Sequence, residues 1–321
     1  MTDLPLPLKL ARFRLDCTVE APIHLHYYAG SQLRGAFGHA LRRTACVTRQ
    51  QDCHACPLYR SCAYPEIFET PAPERHRLQR FSQVPNPYVV EPPPLGARDY
   101  PAGAALGFHC VLMGRALRHL PLVVYAWKRA LERPGGLGGG HVRLDAVTYV
   151  GPDGSEQRVY AEGGLSAPAV APVPVPALAD RAVVEFETPL RLQAAGGVRG
   201  HAMTARDVLM ALARRYWLLA EFHQAAEPAV DFAGLGGLAG AVELTGELRW
   251  RDWRRFSSRQ RQEMVLGGVL GRVTLRGALA PFAGLLAAGQ WTHLGKNASF
   301  GLGRYRLCQE NQGDGESQGM A

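Results

Sequence analysis

A proline-rich stretch at 163–180 (GGLSAPAVAPVPVPALAD), with prolines at 168, 172, 174 and 176, divides the chain near its middle. Proline has no backbone N–H and pushes the residue before it toward extended conformations. Such a run makes neither a helix nor an inner strand and reads as a linker. The same element order appears on both sides. Before the linker, LKLARFRLDCTVE sets Leu8, Leu10, Phe13 and Leu15 among basic residues, as a half-buried strand does. Ser31 is the expected N-cap of SQLRGAFGHALRRTA, where Leu33, Phe37 and Leu41 share one helical face and Arg34, Gly38 and Arg42 another. A second strand, turn and helix follow in FHCVLMGRALRHLPLVVYAWKRALER, then a glycine hinge and the strand HVRLDAVTYV. After the linker, RAVVEFETPLRLQ is a strand and TARDVLMALARRYWLLAEFHQ the strongest helix. AVELTGELRWRDWRRF and VLGGVLGRVTLRGAL are strands, and PFAGLLAAGQ is a short helix. The expectation is α+β architecture in two similar domains, over 1–175 and 180–309, with a disordered polar tail at 310–321.

Composition narrows the function. At 321 residues, 47% hydrophobic and 20% charged, the chain can bury sizeable cores, which excludes global disorder. Net charge is +8, and only Lys9, Lys128 and Lys296 are lysines, so 33 of the 36 basic residues are arginines. A planar guanidinium suits phosphates and stacks on bases, although a GC-rich genome also enriches arginine. The start MTDLPLPLKLARF lacks the pattern of a signal peptide, and prolines or glycines break the longest uncharged stretches, 163–179 and 277–295. An odd seven cysteines without a secretory signal point to the reducing cytoplasm, with no membrane association.

Four cysteines are clustered as Cys46-x6-Cys53-x2-Cys56-x5-Cys62. Four thiols with a C-x2-C pair can surround one structural zinc, and an iron–sulfur cluster uses the same ligand set. The competing reading is two unrelated thiols plus a redox pair. Cys17, Cys110 and Cys308 lie in apolar, strand-like settings. A second motif, Gly295-Lys-Asn-Ala-Ser-Phe-Gly-Leu-Gly-Arg304, sets Gly295, Gly301 and Gly303 beside Lys296 and Arg304. Glycines let backbone amides approach a polyanion, but the same residues also make a plain turn, and the order is not that of a Walker P-loop. A third is the basic density of 248–276, where Arg254, Arg255 and Arg259 interleave with Trp250, Trp253 and Phe256. Rings and guanidinium faces together suit single-stranded RNA, and a solvated basic face is the alternative. Gly234-Leu-Gly-Gly-Leu-Ala239 fits a relaxed dinucleotide fingerprint, but a strand-like VELTGELRW follows it where a helix is required.

Gly30-Ser-Gln-Leu-Arg-Gly35 resembles the first-helix entry of the RAMP proteins of CRISPR systems, and 295–304 resembles their signature glycine-rich loop. Glu187-Thr-Pro-Leu190, Arg214-Arg215 and the glycines at 267, 268 and 271 resemble the second domain of the CRISPR precursor-RNA processing endoribonuclease. The cysteine cluster with Ala63-Tyr64-Pro-Glu-Ile-Phe68 resembles one subgroup of it, and the likeness spans most of 8–307. The resemblance implies two tandem ferredoxin-like (RRM-like) domains. It implies cleavage of CRISPR repeat RNA without a catalytic metal, by 2′-oxygen attack that leaves a 2′,3′-cyclic phosphate. By region it points to His39 on the first helix as the acid–base group, with Tyr28 beside it and Lys296 on the phosphorane; His293 and Tyr27 are the alternatives. It points to Arg34, Arg254, Arg255, Arg259 and the 295–304 loop as RNA contacts. The partners it implies are repeat RNA, its mature guide product and a CRISPR effector complex, in which a non-catalytic RNA-binding subunit is the competing role. A zinc-stapled scaffold that contacts nucleic acid generally is a third reading.

Overall fold

The computed structural model of the chain describes residues 6–73, 84–161, 164–194, 197–200, 202–226, 230–257 and 262–308, with the backbone alone at 194, 253–257 and 262–266. The expected tail and Arg259 lie outside the described residues, as do the side chains of Arg254 and Arg255.

In the first half the elements run β1 (Leu10–Ala21), β2 (Ile23–Leu25), α1 (Gly30–Ala45), α2 (Ala63–Phe68), β3 (Tyr88–Glu91), β4 (Arg98–Tyr100), β5 (Ala105–Met113), α3 (Leu120–Leu131), β6 (His141–Val150), β7 (Glu156–Ala161) and β8 (Gly164–Leu165). In the second they run β9 (Arg181–Leu190), β10 (Leu192–Ala194), β11 (Gly197–Arg199), α4 (Ala205–Gln224), α5 (Phe232–Gly240), β12 (Glu243–Ser257), β13 (Gln262–Arg276), α6 (Ala283–Thr292) and β14 (Tyr305–Cys308). The first sheet is ordered β3-β5-β1-β6-β7-β8 and the second β12-β13-β9-β14. In each βαββαβ unit the fourth strand lies beside the first, then come the third and the second, all antiparallel. The molecule is a pair of ferredoxin-like domains in tandem.

Strand alternation joins the two domains. Phe13, Leu15, Cys17 and Val19 of β1 enter the first core, with Tyr88 and Val90 of β3 and Phe108, Cys110 and Leu112 of β5. Leu10, Val89, Val111 and Met113, from the opposite face of the same strands, enter the second core with Leu209, Leu212 and Phe282. One end of the first sheet therefore supplies both cores, because successive side chains of a strand point to opposite faces.

Helix α1 follows the expected spacing: Leu33, Phe37 and Leu41 are fully buried, and Phe37 stacks on Trp127 at 4.7 Å. Its start differs from expectation. The N-cap is Ala29 with no side-chain cap, and Ser31 lies inside the helix. The reason is packing: any side chain at Gly30 would run into the Phe300 carbonyl of the glycine-rich loop. Helix α4 begins with a capping box between Thr204 and Asp207. Gly234–Ala239 lies within α5, and the strand β12 follows it as expected. Strand β13 meets β9 only between Val269 and Arg276, so the outer part of the β12–β13 ribbon stands clear of the third strand. Among the described residues no helix is long and apolar enough to cross a membrane.

Candidate active site and nucleic-acid cleft

The two polar faces of α1 have different neighbours. Arg34, Gly38 and Arg42 face α2. The Arg34 guanidinium lies 4.1 Å from the Phe68 ring and 4.5 Å from Phe300, Gly38 abuts Phe68, and Arg42 lies 5.9 Å from Tyr64. Arg34, expected to touch RNA, is instead sandwiched between rings of α2 and the glycine-rich loop. The other face, with Gln32, Gly35, Ala36, His39 and Arg43, lines a cleft of about 970 Å³.

His39 is exposed in this cleft. His24 and His26 line the opposite wall, their rings 5.4 Å apart. Gln32 holds that wall to the helix: its side-chain oxygen accepts from His26 N–H at 2.7 Å, and its amide donates to the His24 carbonyl at 3.1 Å. His24 Nδ1 is 2.7 Å from Asp99 Oδ1, which leaves Nε2 as its second proton-transfer atom. Arg43, Arg129 and Arg133 close the cleft with the glycines of 135–139. Its lining carboxylate, Glu132, is bonded to Lys128 at 2.5 Å.

The glycine-rich loop turns out to join the domains. The amides of Lys296, Phe300, Gly301 and Gly303 donate to the carbonyls of Arg191, Asn297, Ala298 and Pro189, and Arg304 N–H donates to Thr188 Oγ1. These amides are committed inside the protein, so they form no open phosphate cradle. Gly301 adopts φ 90° against the Val90 carbonyl, where a side chain would strain the backbone and collide with β3. The Tyr28 hydroxyl donates to the Phe300 carbonyl at 2.6 Å, and burial holds its pKa well above the usual phenol value. Tyr28 thus lines the cleft but latches α1 to the loop. Lys296 is exposed on the loop and is not among the residues lining the His39 cleft, so the structure does not bring the three expected catalytic residues together. Arg304 is ion-paired with Glu187 at 2.8 Å.

His293, the alternative catalytic histidine, is fully buried at this seam. Its Nε2 is 3.0 Å from Glu91 Oε1 and its Nδ1 is 3.2 Å from the Leu302 carbonyl. Arg12 donates to the same Glu91 oxygen at 2.9 Å and to the Gln290 carbonyl. Burial alone would raise the Glu91 pKa, but Arg12 and His293 beside it hold it far below the carboxylate range. Burial pulls the His293 pKa down, against the pull of Glu91. A group so enclosed cannot meet RNA.

Cys46, Cys53, Cys56 and Cys62 all line one small pocket and are free thiols. Arg49 N–H donates to Cys46 Sγ at 3.2 Å, and the Thr48 hydroxyl is 3.4 Å from Cys56 Sγ. Burial pushes the Cys53 thiol up, against the Arg42 charge. The donor set is right for a soft ion, although no three His, Cys, Asp or Glu side chains among the described residues close to metal-holding geometry.

His24, His26, Arg129 and Arg133 line the cleft, with Asp99 bonded to His24, and sequence reasoning did not single them out. Their signals were present: alternating histidines in IHLH just before the helix, and basic residues running into a glycine cluster in KRALERPGGLGGG.

Residues 6–172 match the AF_1859_N N-terminal domain model, and residues 184–305 match that of the CRISPR-associated endoribonuclease Cas6. No curated protein matches the sequence. Among solved structures, a product complex of Thermus thermophilus Cas6 aligns over 93% of this chain and 100% of its own, at TM-score 0.57 and 18% identity. The same Cas6 in a second structure aligns over 94% and 99%, at TM-score 0.51 and 16% identity. A partial Cas6-RT-Cas1–Cas2 complex aligns over 99% of this chain and 49% of its own, at TM-score 0.56 and 14% identity. These structures share the fold. The chain belongs to the family of the AF_1859_N N-terminal domain over its first half, and its second half is similar to the CRISPR-associated endoribonuclease Cas6.

Proposed function

We propose that the chain cuts CRISPR repeat RNA into guide units in the cleft on α1, without a catalytic metal. The observation that carries this reading is the exposed His39 in a concave site with His24, His26 and three arginines, where Glu132 is already held by Lys128. In this reading His39 takes the proton from a ribose 2′-OH as the 2′-oxygen bonds to the adjacent phosphorus. The bond from phosphorus to the 5′-oxygen breaks, and the leaving oxygen takes a proton from His24. Asp99 against Nδ1 orients the ring so that Nε2 is the atom that makes this donation. Arg43, Arg129 and Arg133 would offset charge building on the phosphorane. Products are a 2′,3′-cyclic phosphate and a 5′-hydroxyl. Tyr28 serves as a positioning residue, and Lys296 binds RNA on the loop. The projecting ribbon, with exposed Arg249, Trp250 and Arg251, extends the RNA surface, and in this reading Arg254, Arg255 and Arg259 also contact RNA.

The cysteine cluster is read as a structural zinc site, with Cys46, Cys53, Cys56 and Cys62 as ligands and an iron–sulfur cluster as the other occupant of the same donor set. The meeting of all four sulfurs at one small pocket supports it, since a soft ion takes such a donor set. Free thiols fit the reducing cytoplasm, where repeat RNA and other CRISPR proteins are the partners. The test is incubation of repeat RNA with the protein in excess chelator, followed by analysis of product ends. One discrete cut ending in a cyclic phosphate is expected. Binding without a cut would make the chain an RNA-binding subunit of a CRISPR effector complex.

A further inference from the structure

Two basic hollows on the first domain share a wall. Arg43 and Arg129, which bound the histidine cleft, also line a second groove of about 680 Å³ that continues to Arg49 and Cys46. Cys46 in turn lines the pocket of the cysteine cluster. Arg42 fixes this arrangement by donating to the carbonyls of Gln50, at 2.8 Å, and Gln51. The cysteine-bearing segment is therefore one side of a trough that opens from the cleft.

The arginines of the trough differ from several on the sheets in having no carboxylate partner among the described residues. Several arginines on the sheets are neutralised: Arg14 by Asp16 and Glu156, Arg143 by Glu20 and Asp145, Arg272 and Arg306 by Glu185. Arg43, Arg49 and Arg129 are exposed and form no ion pair with any described residue. Arg129 lies 5.9 Å from the ring of Tyr125, itself 51% exposed. Unneutralised cations along a concave wall concentrate positive potential, and a guanidinium beside an open ring offers both a phosphate contact and a stacking face.

We propose that this trough carries a single-stranded RNA segment flanking the scissile phosphate, its backbone lying on Arg43, Arg49 and Arg129 against the cysteine segment. The proposal rests on the cleft being the cleavage site. It gives the cysteine segment a second task, shaping the surface that RNA follows.

The test uses the full chain and the variant Arg49→Asn, at a residue that lines the second groove and not the histidine cleft. Asparagine tolerates the left-handed backbone at Arg49 (φ 55°), so charge is removed without new strain. Affinity is measured across a salt series for repeat RNA extended on both sides of the cut, for RNA trimmed on the 5′ side, and for RNA trimmed on the 3′ side. The variant is expected to bind extended RNA several-fold more weakly, with a salt slope shallower by about 0.7 if Arg49 meets one phosphate. On one of the trimmed RNAs the variant and wild type should become equal, which identifies the flank. Equal weakening on every RNA, or no weakening on any, would overturn the proposal. Cleavage by wild type in the same tubes separates the two readings. Flank-dependent binding without cutting refutes the nuclease and keeps the trough, whereas cutting without flank dependence does the reverse.

Discussion

His223 joins the two domains, and its burial makes that joint sensitive to acid. The imidazole is 1% exposed near the end of α4, with Nε2 2.8 Å from the Pro85 carbonyl ahead of β3. Burial pulls its pKa down to about 4 from the ordinary 6.5; the Pro85 carbonyl and Glu66 oppose this, and Arg115 and Arg215 add to it. Between those two values the unfolded chain takes up a proton that the folded chain refuses. The His223 contribution is therefore complete above about pH 6.5 and is lost as pH falls toward 4. At pH 5 the loss relative to pH 7.5 is about 2 kcal/mol. Glu91, whose pKa is also depressed, loses its contribution only at still lower pH and does so with or without His223. Urea unfolding of wild type and His223→Gln at pH 7.5 and 5.0 isolates the effect, because glutamine can donate to Pro85 but does not titrate. Wild type should lose about 2 kcal/mol more than the variant between the two pH values. Parallel losses would show that His223 is not held neutral, and the reasoning from burial would fail.

Tyr28→Phe removes the 2.6 Å bond to the Phe300 carbonyl. It should cost about 1–3 kcal/mol of stability in thermal or urea melts while single-turnover cleavage stays within a few-fold, and a loss of about a hundredfold or more would return Tyr28 to the chemistry. Cys53→Ser should abolish stoichiometric zinc or iron in elemental analysis and lower the melting temperature of the first domain. Wild-type protein free of both metals would refute the metal reading.

How much was legible in the sequence depended on the range of the interaction. The β1 alternation, the α1 spacing and the Thr204–Asp207 cap are local, and the repeated strand–helix–strand order on either side of the prolines yielded the tandem architecture. Strand β3 was not legible, since it lies among prolines in an unassigned stretch, and with it went Glu91 and the buried cluster it forms with Arg12 and His293. Long-range contacts also bear on two of the expected RNA-binding features. Arg34, an expected RNA contact, packs against Phe68 and Phe300, and the glycines of 295–304 serve a domain contact that no spacing within the loop reveals. The second wall of the cleft was hidden for a related reason. His24 and His26 lie before α1, and Arg129 lies far from both in sequence.

The central claim is that His39 moves protons in a metal-free cut. His39→Ala suits the test because the residue is exposed and alanine favours the helix, so the fold is retained. The decisive measurement is the single-turnover rate of repeat-RNA cleavage by this variant and by wild type in excess chelator, with RNA affinity read in parallel. A rate slower by about 10²–10⁴-fold with nearly unchanged affinity is expected. Cleavage at the wild-type rate would contradict the account.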